Sequence, residues 1–186
     1  MARVNELQTG LCSSRIFMAT NDRRLIALDA KTGTPCLGFG DRGTVRLTPF
    51  PKMSFPEEVQ NTSAPVVTHG VVIVGSSISD NHSVTEPRGT VRAFDAVTGK
   101  PRWTFDPVPR SPSAPNAASW TGQGASVTGA ANVWAPISVD EQRGLVYLPT
   151  TSPSPDFFGG TRRSSTGMSG APVVRSSVNT KPCFVT

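Results

Sequence analysis

Residues 75–83, with the sequence GSSISDNHS, place a carboxylate beside an amide directly after a segment typical of a buried strand. Asp80 and Asn81 offer hard oxygen atoms, which are the ligands that Ca²⁺ prefers, although this ion takes six or more of them. The alternative is an Asx turn, in which these side chains bond only the nearby backbone. The segment therefore predicts either part of a cation site or a turn.

Two further segments, ANVWAP at 131–136 and LPTTSPSPDFFGG at 148–160, contain residue types that can contact a ligand. Trp134 precedes an Ala-Pro strand, and its indole ring can either stack on a planar cofactor or pack between sheets. The second segment is either a proline-stiffened surface loop or a source of hydroxyl groups for an anion or a cation. These hydroxyl groups belong to Thr150, Thr151, Ser152 and Ser154.

Several other classes of function find no support in the sequence. His69 and His82 have no serine or cysteine partner at a recognisable triad spacing, so no nucleophilic catalysis is predicted. The net charge is +5, but Lys and Arg are scattered rather than grouped with aromatic residues, which argues against nucleic-acid binding. The sequence also contains no run of about 18 apolar residues and no apolar core of a secretory signal.

The three cysteines, Cys12, Cys36 and Cys183, are too far apart in the sequence to indicate a thiolate metal site. Cys12 and Cys36 can pair in an oxidising compartment. We nevertheless expect that Cys12 and Cys36 are unpaired thiols, because free cysteine commonly serves as a small buried apolar residue.

The elements that would position these residues repeat along the chain. RLIALDAKTG at 24–33 and TVRAFDAVTG at 90–99 share an alternating strand followed by an Asp-Ala-x-Thr-Gly turn. Asp can bond the backbone two residues further on, and Gly adopts positive φ without strain. Each copy therefore predicts a β-hairpin, with its second strand at residues 35–39 in the first copy and 101–105 in the second.

A second repeat extends the hairpin to a unit of four strands. SAPVVTHGVVIVG at 63–75 and WAPISVDEQRGLVYLP at 134–149 both have Ala-Pro at their second and third positions, followed by two short strands around a polar turn. Four-stranded units that repeat along a chain are typical of β-propeller blades. The sequence thus predicts an all-β fold, a partial β-propeller of about three blades, of which the first and third are incomplete.

The motifs together resemble a known family. RLIALDAKTG, GSSISDNHSVTEPRGTVRAFDAVTGKPRWTFDP and NVWAPISVDEQRGLVYLPTTSPSPDFFGG are similar to segments of the membrane-bound, pyrroloquinoline-quinone (PQQ) dependent dehydrogenases of glucose, quinate and shikimate. The similarity covers roughly residues 11–163. It implies about three blades of an eight-bladed propeller at residues 15–163, with a leader at 1–14. The tail at 164–186 does not match, and we expect no strand pair and disorder there.

The resemblance also implies roles for particular residues. Asp80 lies at the position of the family's metal-side carboxylate, and Asn81 lies at the position of a neighbouring contact to the quinone. Trp134 corresponds to the indole that stacks on the cofactor, and Ser154 to a hydroxyl or amide near the metal and quinone. Asp156 belongs to a structural turn. The implied cofactors are PQQ and Ca²⁺ or Mg²⁺.

The family oxidises a sugar or cyclic polyol and passes electrons to ubiquinone on the periplasmic side of the inner membrane, usually with a membrane anchor. No such anchor is visible in this sequence, and no segment matches the family's general base. We therefore assign no catalytic residue and expect a fragment that is inactive alone. The alternatives are a non-catalytic propeller scaffold of the kind used in outer-membrane assembly, or a degenerate product without function.

Overall fold

The structure is a computed structural model that describes residues 10–47, 53–114, 117, 120–121, 124–157, 163–164, 173–177 and 180–185. Its regular elements are almost all strands, which confirms the all-β class. In chain order they are β1 (Arg15–Ala19), β2 (Arg24–Asp29), β3 (Thr44–Arg46), β4 (Val59–Gln60), β5 (Val66–Thr68), β6 (Val71–Val74), β7 (Ser77–Ile78), β8 (Val91–Asp95), β9 (Pro101–Phe105), β10 (Trp120–Thr121), the helical turn α1 (Gly124–Val127), β11 (Ser138–Asp140), β12 (Leu145–Tyr147), β13 (Arg163–Ser164), β14 (Val173–Ser177) and β15 (Thr180–Val185). No helix in these ranges is long and apolar enough to cross a membrane.

Three antiparallel sheets follow one another along the chain. The first sheet has the order β1-β2-β3, the middle sheet β5-β6-β8-β9 and the third sheet β11-β12-β14-β15. There are also two short ribbons, β4-β7 and β10-β13. In each ribbon, a strand from the connection between two sheets pairs with a strand that lies between the second and third strands of the following sheet. Successive strands pair with their neighbours within each four-stranded sheet, which is the arrangement of a propeller blade. The predicted partial β-propeller is therefore confirmed.

The middle sheet is packed on both faces, and β6 shows why. Val71 and Ile73 contribute to a core shared with the third sheet, whereas Val72 and Val74 contribute to a core shared with the first sheet. Alternate side chains of a strand point to opposite faces, so an unbroken apolar strand indicates burial on both sides. All four residues of β6 are indeed buried.

The repeated turn has the same structure in both copies. Asp29 Oδ1 accepts hydrogen bonds from the Lys31 and Thr32 amides at 3.0 and 2.9 Å. In the second copy Asp95 Oδ1 accepts from the Val97 and Thr98 amides at 3.0 and 2.7 Å. The glycine that closes each turn has a φ of 73°, a value that favours glycine. The Asp-Ala-x-Thr-Gly motif thus acts in hairpin closure, as predicted.

The second strand predicted at residues 35–39 is wrong. Pro35 makes only an isolated bridge to Leu28, and the chain then turns, with the Phe39 amide donating to the Cys36 carbonyl at 2.8 Å. Phe39 is fully buried under the first sheet. The third strand of that sheet is β3, which pairs with β2 five residues after Phe39.

The expectation of free thiols at Cys12 and Cys36 is also wrong, because these two residues form a disulfide. Their Cα atoms lie 5.7 Å apart, and the bond joins positions that are separated by 24 residues. Cys36 lies in the turn that replaces the predicted strand, so the disulfide fixes this turn to the segment that leads into β1.

The prediction that no strand pair follows residue 163 is wrong for residues 173–177 and 180–185. There β14 pairs with β12, and β15 pairs with β14, both antiparallel. The third sheet therefore has four strands rather than two. The hairpin was missed because this part of the sequence has no Asp-Ala-x-Thr-Gly turn. In addition, Pro182 lies in β15, which is the outermost strand, where a missing amide donor is tolerated.

Candidate functional site

Three segments meet at one end of the middle and third sheets. Residues 75–89 follow β6, residues 128–137 precede β11, and residues 148–157 follow β12. β6 and β12 are second strands of equivalent sheets, and β11 runs antiparallel to β12. The end of β12 and the start of β11 consequently lie side by side, and the neighbouring sheet contributes the loop after β6. We call this group of segments the loop cluster.

Asn132 joins all three segments of the loop cluster. Its side-chain amide nitrogen donates to the Ser76 carbonyl at 3.2 Å, and its side-chain oxygen accepts from Thr151 Oγ1 at 2.9 Å. Its backbone amide also donates to Thr151 Oγ1 at 3.1 Å. Asn132 is almost completely buried, at 2% exposure. Buried polar groups that are fully bonded hold a single arrangement, so Asn132 fixes the relative position of the loops.

Two glycines allow the segments to approach so closely. A Cβ atom on Gly75 would lie 2.1 Å from the Val133 carbonyl oxygen, and one on Gly129 would lie 1.7 Å from the Glu86 carbonyl oxygen. Neither distance is possible for a real side chain, and in both cases the obstacle is backbone. These two positions therefore require glycine for the cluster to form.

Glu86 is a buried carboxylate at the centre of the cluster, with 5% exposure. Its Oε1 accepts from the His82 and Ser83 amides at 2.8 and 3.2 Å, and its Oε2 accepts from the Ser154 hydroxyl. These three donors satisfy both oxygen atoms of the buried Glu86 side chain. Glu86 therefore binds the loop that carries Asp80 and Asn81 to the loop that carries Ser154.

The Asp80 side chain is exposed and has no hydrogen-bond or ion-pair partner within the described ranges. Asn81 is exposed and has a φ of 65°. Its Oδ1 accepts from the Asp156 amide at 3.4 Å, a long contact that reaches the segment after β12. The structure thus brings Asn81 next to the Ser154 segment and leaves the Asp80 carboxylate available to a ligand.

Trp134 and Ser154 differ strongly in accessibility. The Trp134 side chain is 53% exposed, and its backbone carbonyl accepts a hydrogen bond from the Ser63 hydroxyl. Within the described residues its ring is therefore not covered on both sides by sheets, as the alternative of packing between sheets would require. Ser154 is fully buried, and its hydroxyl donates to Glu86, so a ligand contact there would have to share or replace that bond.

The types and the exposure of these residues suit one side of a binding site for a metal ion and a planar cofactor. An exposed carboxylate without a partner is a suitable cation ligand, and an exposed indole is a suitable stacking surface. Within the described ranges no group of three His, Cys, Asp or Glu side chains comes together. The other ligands of a cation at Asp80 would therefore be amide, hydroxyl or backbone oxygens, or oxygens of the cofactor itself.

The sequence did not single out Glu86 or Asn132 as residues of the site. Asn132 lies two residues before Trp134, and a polar residue that interrupts an apolar run before a strand was the available signal. Glu86 lies in the turn-like stretch TEPRG, where a charged residue is normally taken as solvated. Only the fold shows that its side chain points inward.

Comparison with known proteins identifies the family. Residues 2–180 match the PQQ-type family profile described as glucose/ethanol/alcohol dehydrogenase, beta-propeller domain. The chain belongs to this family of quinoprotein dehydrogenases. The match continues past residue 163, where the sequence resemblance was expected to end, and it includes β14.

Several curated relatives are named as dehydrogenases. The chain is 38% identical over 152 residues to quinoprotein glucose dehydrogenase A from Acinetobacter calcoaceticus, covering 81% of the chain and 18% of the relative. It is 39% identical over 155 residues to quinate/shikimate dehydrogenase (quinone) from Acinetobacter baylyi, covering 83% and 19%. It is 36% identical over 170 residues to the glycerol dehydrogenase large subunit from Gluconobacter oxydans, covering 91% and 22%.

The chain thus spans about a fifth of the length of these relatives. Among solved structures, a europium-containing methanol dehydrogenase superposes with a TM-score of 0.59 at 22% identity, covering 86% of this chain and 28% of that chain. At this identity the superposition supports the propeller fold alone. All three named relatives are dehydrogenases, which favours this class over the scaffold alternative.

Proposed function

We propose that the loop cluster forms one wall of a PQQ and divalent-cation site in a dehydrogenase that oxidises a sugar or cyclic polyol. The observation that carries this proposal is the Asp80 carboxylate, which is exposed and has no partner within the described ranges. Hydrogen bonds of Glu86 and Asn132 hold its loop beside residues 128–137, which include Trp134. The family of the chain supplies the identity of the cofactor.

In this proposal Asp80 ligates the cation, and Asn81 contacts the cation or the quinone through its amide. The Trp134 indole lies against the cofactor plane. The Ser154 hydroxyl bonds Glu86, which in turn holds the loop that carries Asp80. Alternatively, this hydroxyl also contacts the ligand directly. Bound PQQ would supply the hydride acceptor, and the cation would polarise it. The described residues position and orient these groups.

The substrate class follows from the relatives as a proposal. They are named for glucose, quinate or shikimate, and glycerol, which share several hydroxyl groups on a small carbon skeleton. We assign ubiquinone as the electron acceptor, because one relative is named a quinone-linked dehydrogenase. A periplasmic location beside the inner membrane fits the Cys12–Cys36 disulfide, since disulfides persist in oxidising compartments.

No residue of this chain is assigned as the general base, so the proposal includes that the chain alone does not turn over. Other blades of a propeller would have to complete the site. Phenazine-linked dye reduction with glucose, quinate and glycerol, in the presence of PQQ and Ca²⁺, checks this statement, and turnover by the purified chain would contradict it.

The cation site is tested by terbium luminescence, because Tb³⁺ takes hard oxygen ligands as Ca²⁺ does and is sensitised by nearby tryptophan. We expect saturable luminescence that Ca²⁺ displaces, and an affinity at least tenfold lower in Asp80→Asn. Asp140→Asn is the matched control, because Asp140 is the last residue of β11 in the third sheet, where its Oδ2 accepts a hydrogen bond from Arg143 Nη1 at 2.7 Å. Equal Tb³⁺ affinity in Asp80→Asn and the wild type would overturn the assignment of Asp80.

A further inference from the structure

Three arginine side chains line one small cavity between the first and the middle sheet. They are Arg23, Arg88 and Arg92. Leu47 and Val74, which also line the cavity, belong to the core that these two sheets share. The cavity has a volume of about 30 Å³, which is room for about two or three oxygen-sized atoms. None of the residues proposed to hold PQQ or the cation contributes to its lining.

Arg92 occupies a position of β8 that faces a core. It pairs with Val74 of β6, and both Val74 and Phe94 belong to the core shared with the first sheet. Paired residues and alternate residues of a sheet lie on the same face, so Arg92 lies on the face of Val74 and Phe94. The Arg92 side chain is half-buried, and burial lowers the pKa of its guanidinium group. A cation in such a place is costly unless an anion balances its charge.

The surroundings of the cavity supply little negative charge. None of the described residues that line it is Asp or Glu. Glu58 is next to a lining residue in the sequence, but its carboxylate accepts a hydrogen bond from the Ser54 amide. Residues 48–52, which lie outside the described ranges and follow a lining residue, have the sequence TPFPK and also contain no acidic residue.

The described partners of the arginines do not balance their charge. Arg88 Nε lies 4.0 Å from Asp106 Oδ2, but the same oxygen accepts a hydrogen bond from Arg110 Nε at 2.9 Å. One carboxylate is therefore shared between two guanidinium groups. Arg23 Nη1 donates to Met53 Sδ at 2.9 Å, and a thioether carries no charge. Among the described groups, positive charge thus exceeds negative charge at this cavity.

The size and the polar groups of the cavity select the class of ligand. Guanidinium groups bind carboxylates and similar anions through charge-assisted hydrogen bonds. The lining also contains the polar residues Asn61, Ser76 and Thr90. Sulfate and phosphate have five heavy atoms and exceed the available volume, whereas a single carboxylate group or a halide ion fits it.

We propose that this cavity binds one small monovalent anion, of the size of formate or chloride, between the first and the middle sheet. The anion offsets the charge of the three arginines and thereby stabilises the packing of the two sheets. The site goes beyond the proposed function, because it requires neither quinone nor metal. The anion can be free in solution or can be the carboxylate group of a larger acid, and the experiment below distinguishes these two sources.

The test is thermal unfolding of the full chain without PQQ or added metal, at constant ionic strength. Sodium formate replaces sodium methanesulfonate in steps, because methanesulfonate carries the same charge on a group that is too large for this cavity. We expect the midpoint to rise in a saturable manner, by about 3–6 °C when formate reaches about ten times its dissociation constant. Sodium chloride should have the same effect.

Two variants with the same substitution locate the effect. In Arg92→Met, which removes the charge but keeps an unbranched side chain in β8, the midpoint should no longer respond to formate. Replacing a charged group at a core-facing position by an apolar one is usually tolerated, so this variant should fold. Arg46→Met is the matched control, because Arg46 is exposed on β3 and does not line the cavity. It should respond to formate as the wild type does.

Each outcome decides the proposal. Absence of a saturable rise with formate overturns it, as does an equal rise in the wild type and Arg92→Met. Arg88→Gln provides a second variant, since the Arg88 side chain is 59% exposed, and a severalfold weaker response to formate is expected there. A response to sodium quinate in addition to formate assigns the site to the carboxylate of a larger acid, and a response to formate alone assigns it to a free anion. A response to quinate without one to formate overturns the proposal.

Discussion

The aspartates of this chain differ in their hydrogen-bond partners, and this difference separates the turn residues from the proposed ligand. Asp29 and Asp95 accept several backbone donors and close hairpin turns, whereas Asp80 accepts none within the described ranges. A carboxylate whose oxygens already accept hydrogen bonds from its own turn has few lone pairs available to a ligand. Asp80 is accordingly the residue on which the cation assignment depends.

The turn aspartates predict how stability changes in acid. Hydrogen bonds from Cys12, Thr32 and Lys31 lower the pKa of Asp29 to about 2. Burial raises the pKa of Asp95, but hydrogen bonds from Thr98, Arg102 and Val97 outweigh burial, so that it also lies at about 2. In the unfolded chain both groups titrate near pH 3.9. Their contribution to stability is therefore complete above about pH 4 and is lost as the pH falls toward 2.

Urea unfolding between pH 5 and pH 2 measures this loss. We expect the free energy of unfolding to decrease across this interval in the wild type. The decrease should be smaller in Asp29→Asn and Asp95→Asn, because an amide does not titrate there. An unchanged pH dependence in both variants would contradict the role given to these turns.

At the scale of elements, the hairpin repeat could be predicted from the sequence, and its exceptions have physical causes. The Asp-Ala-x-Thr-Gly motif located β2 and the β8–β9 hairpin correctly, because a turn motif and period-two alternation both act locally. The first sheet departs from the pattern after its turn. There a disulfide and the buried Phe39 divert the chain, and β3 forms later.

The long-range features could not be predicted in this way. The β14–β15 hairpin has no turn motif in its sequence, and its strands are defined by pairing with β12. The burial of Glu86 depends on Ser154, which is 68 residues away. In contrast, Asp80, Asn81 and Trp134 were singled out by their positions at strand ends, and Ser154 was chosen among four hydroxyl residues by the family resemblance. The structure places their segments together. Their roles in binding remain predictions.

The disulfide gives a prediction for the first sheet. Closing a loop of this length stabilises a domain by roughly 3–4 kcal/mol in the chain-entropy account. Reduction with dithiothreitol should lower the midpoint of thermal unfolding, and the double variant Cys12→Ser/Cys36→Ser should have the same low midpoint with or without the reductant. If dithiothreitol lowers the midpoint of the double variant as well, the effect does not come from this disulfide.

For the whole molecule, the three sheets are not equivalent in what surrounds them. Among the described residues, the middle sheet has a core on each face, whereas the first sheet packs against it on one face only. Within the same ranges β1 pairs with β2 alone, and Ile16 and Met18 on β1 are each 46% exposed. The corresponding strands β6 and β12 each pair with an Ala-Pro strand, β5 and β11. A strand edge that no described strand covers favours association with other strands.

The described sheets pack as blades of a propeller, and the proposed site lies between two of them. There Asn132 and Glu86 hold the loops in place, and Asp80 and Trp134 are the residues proposed to face the ligand. We propose above all that Asp80 and Trp134 bind PQQ in a manner that depends on a divalent cation.

Quenching of tryptophan fluorescence by PQQ, titrated with and without Ca²⁺, is the decisive experiment. We expect saturable quenching that is stronger with Ca²⁺, is largely lost in Trp134→Phe, persists in Trp103→Phe, and no longer depends on Ca²⁺ in Asp80→Asn. Quenching that is not saturable, or that is the same in Trp134→Phe and Asp80→Asn as in the wild type, would contradict it.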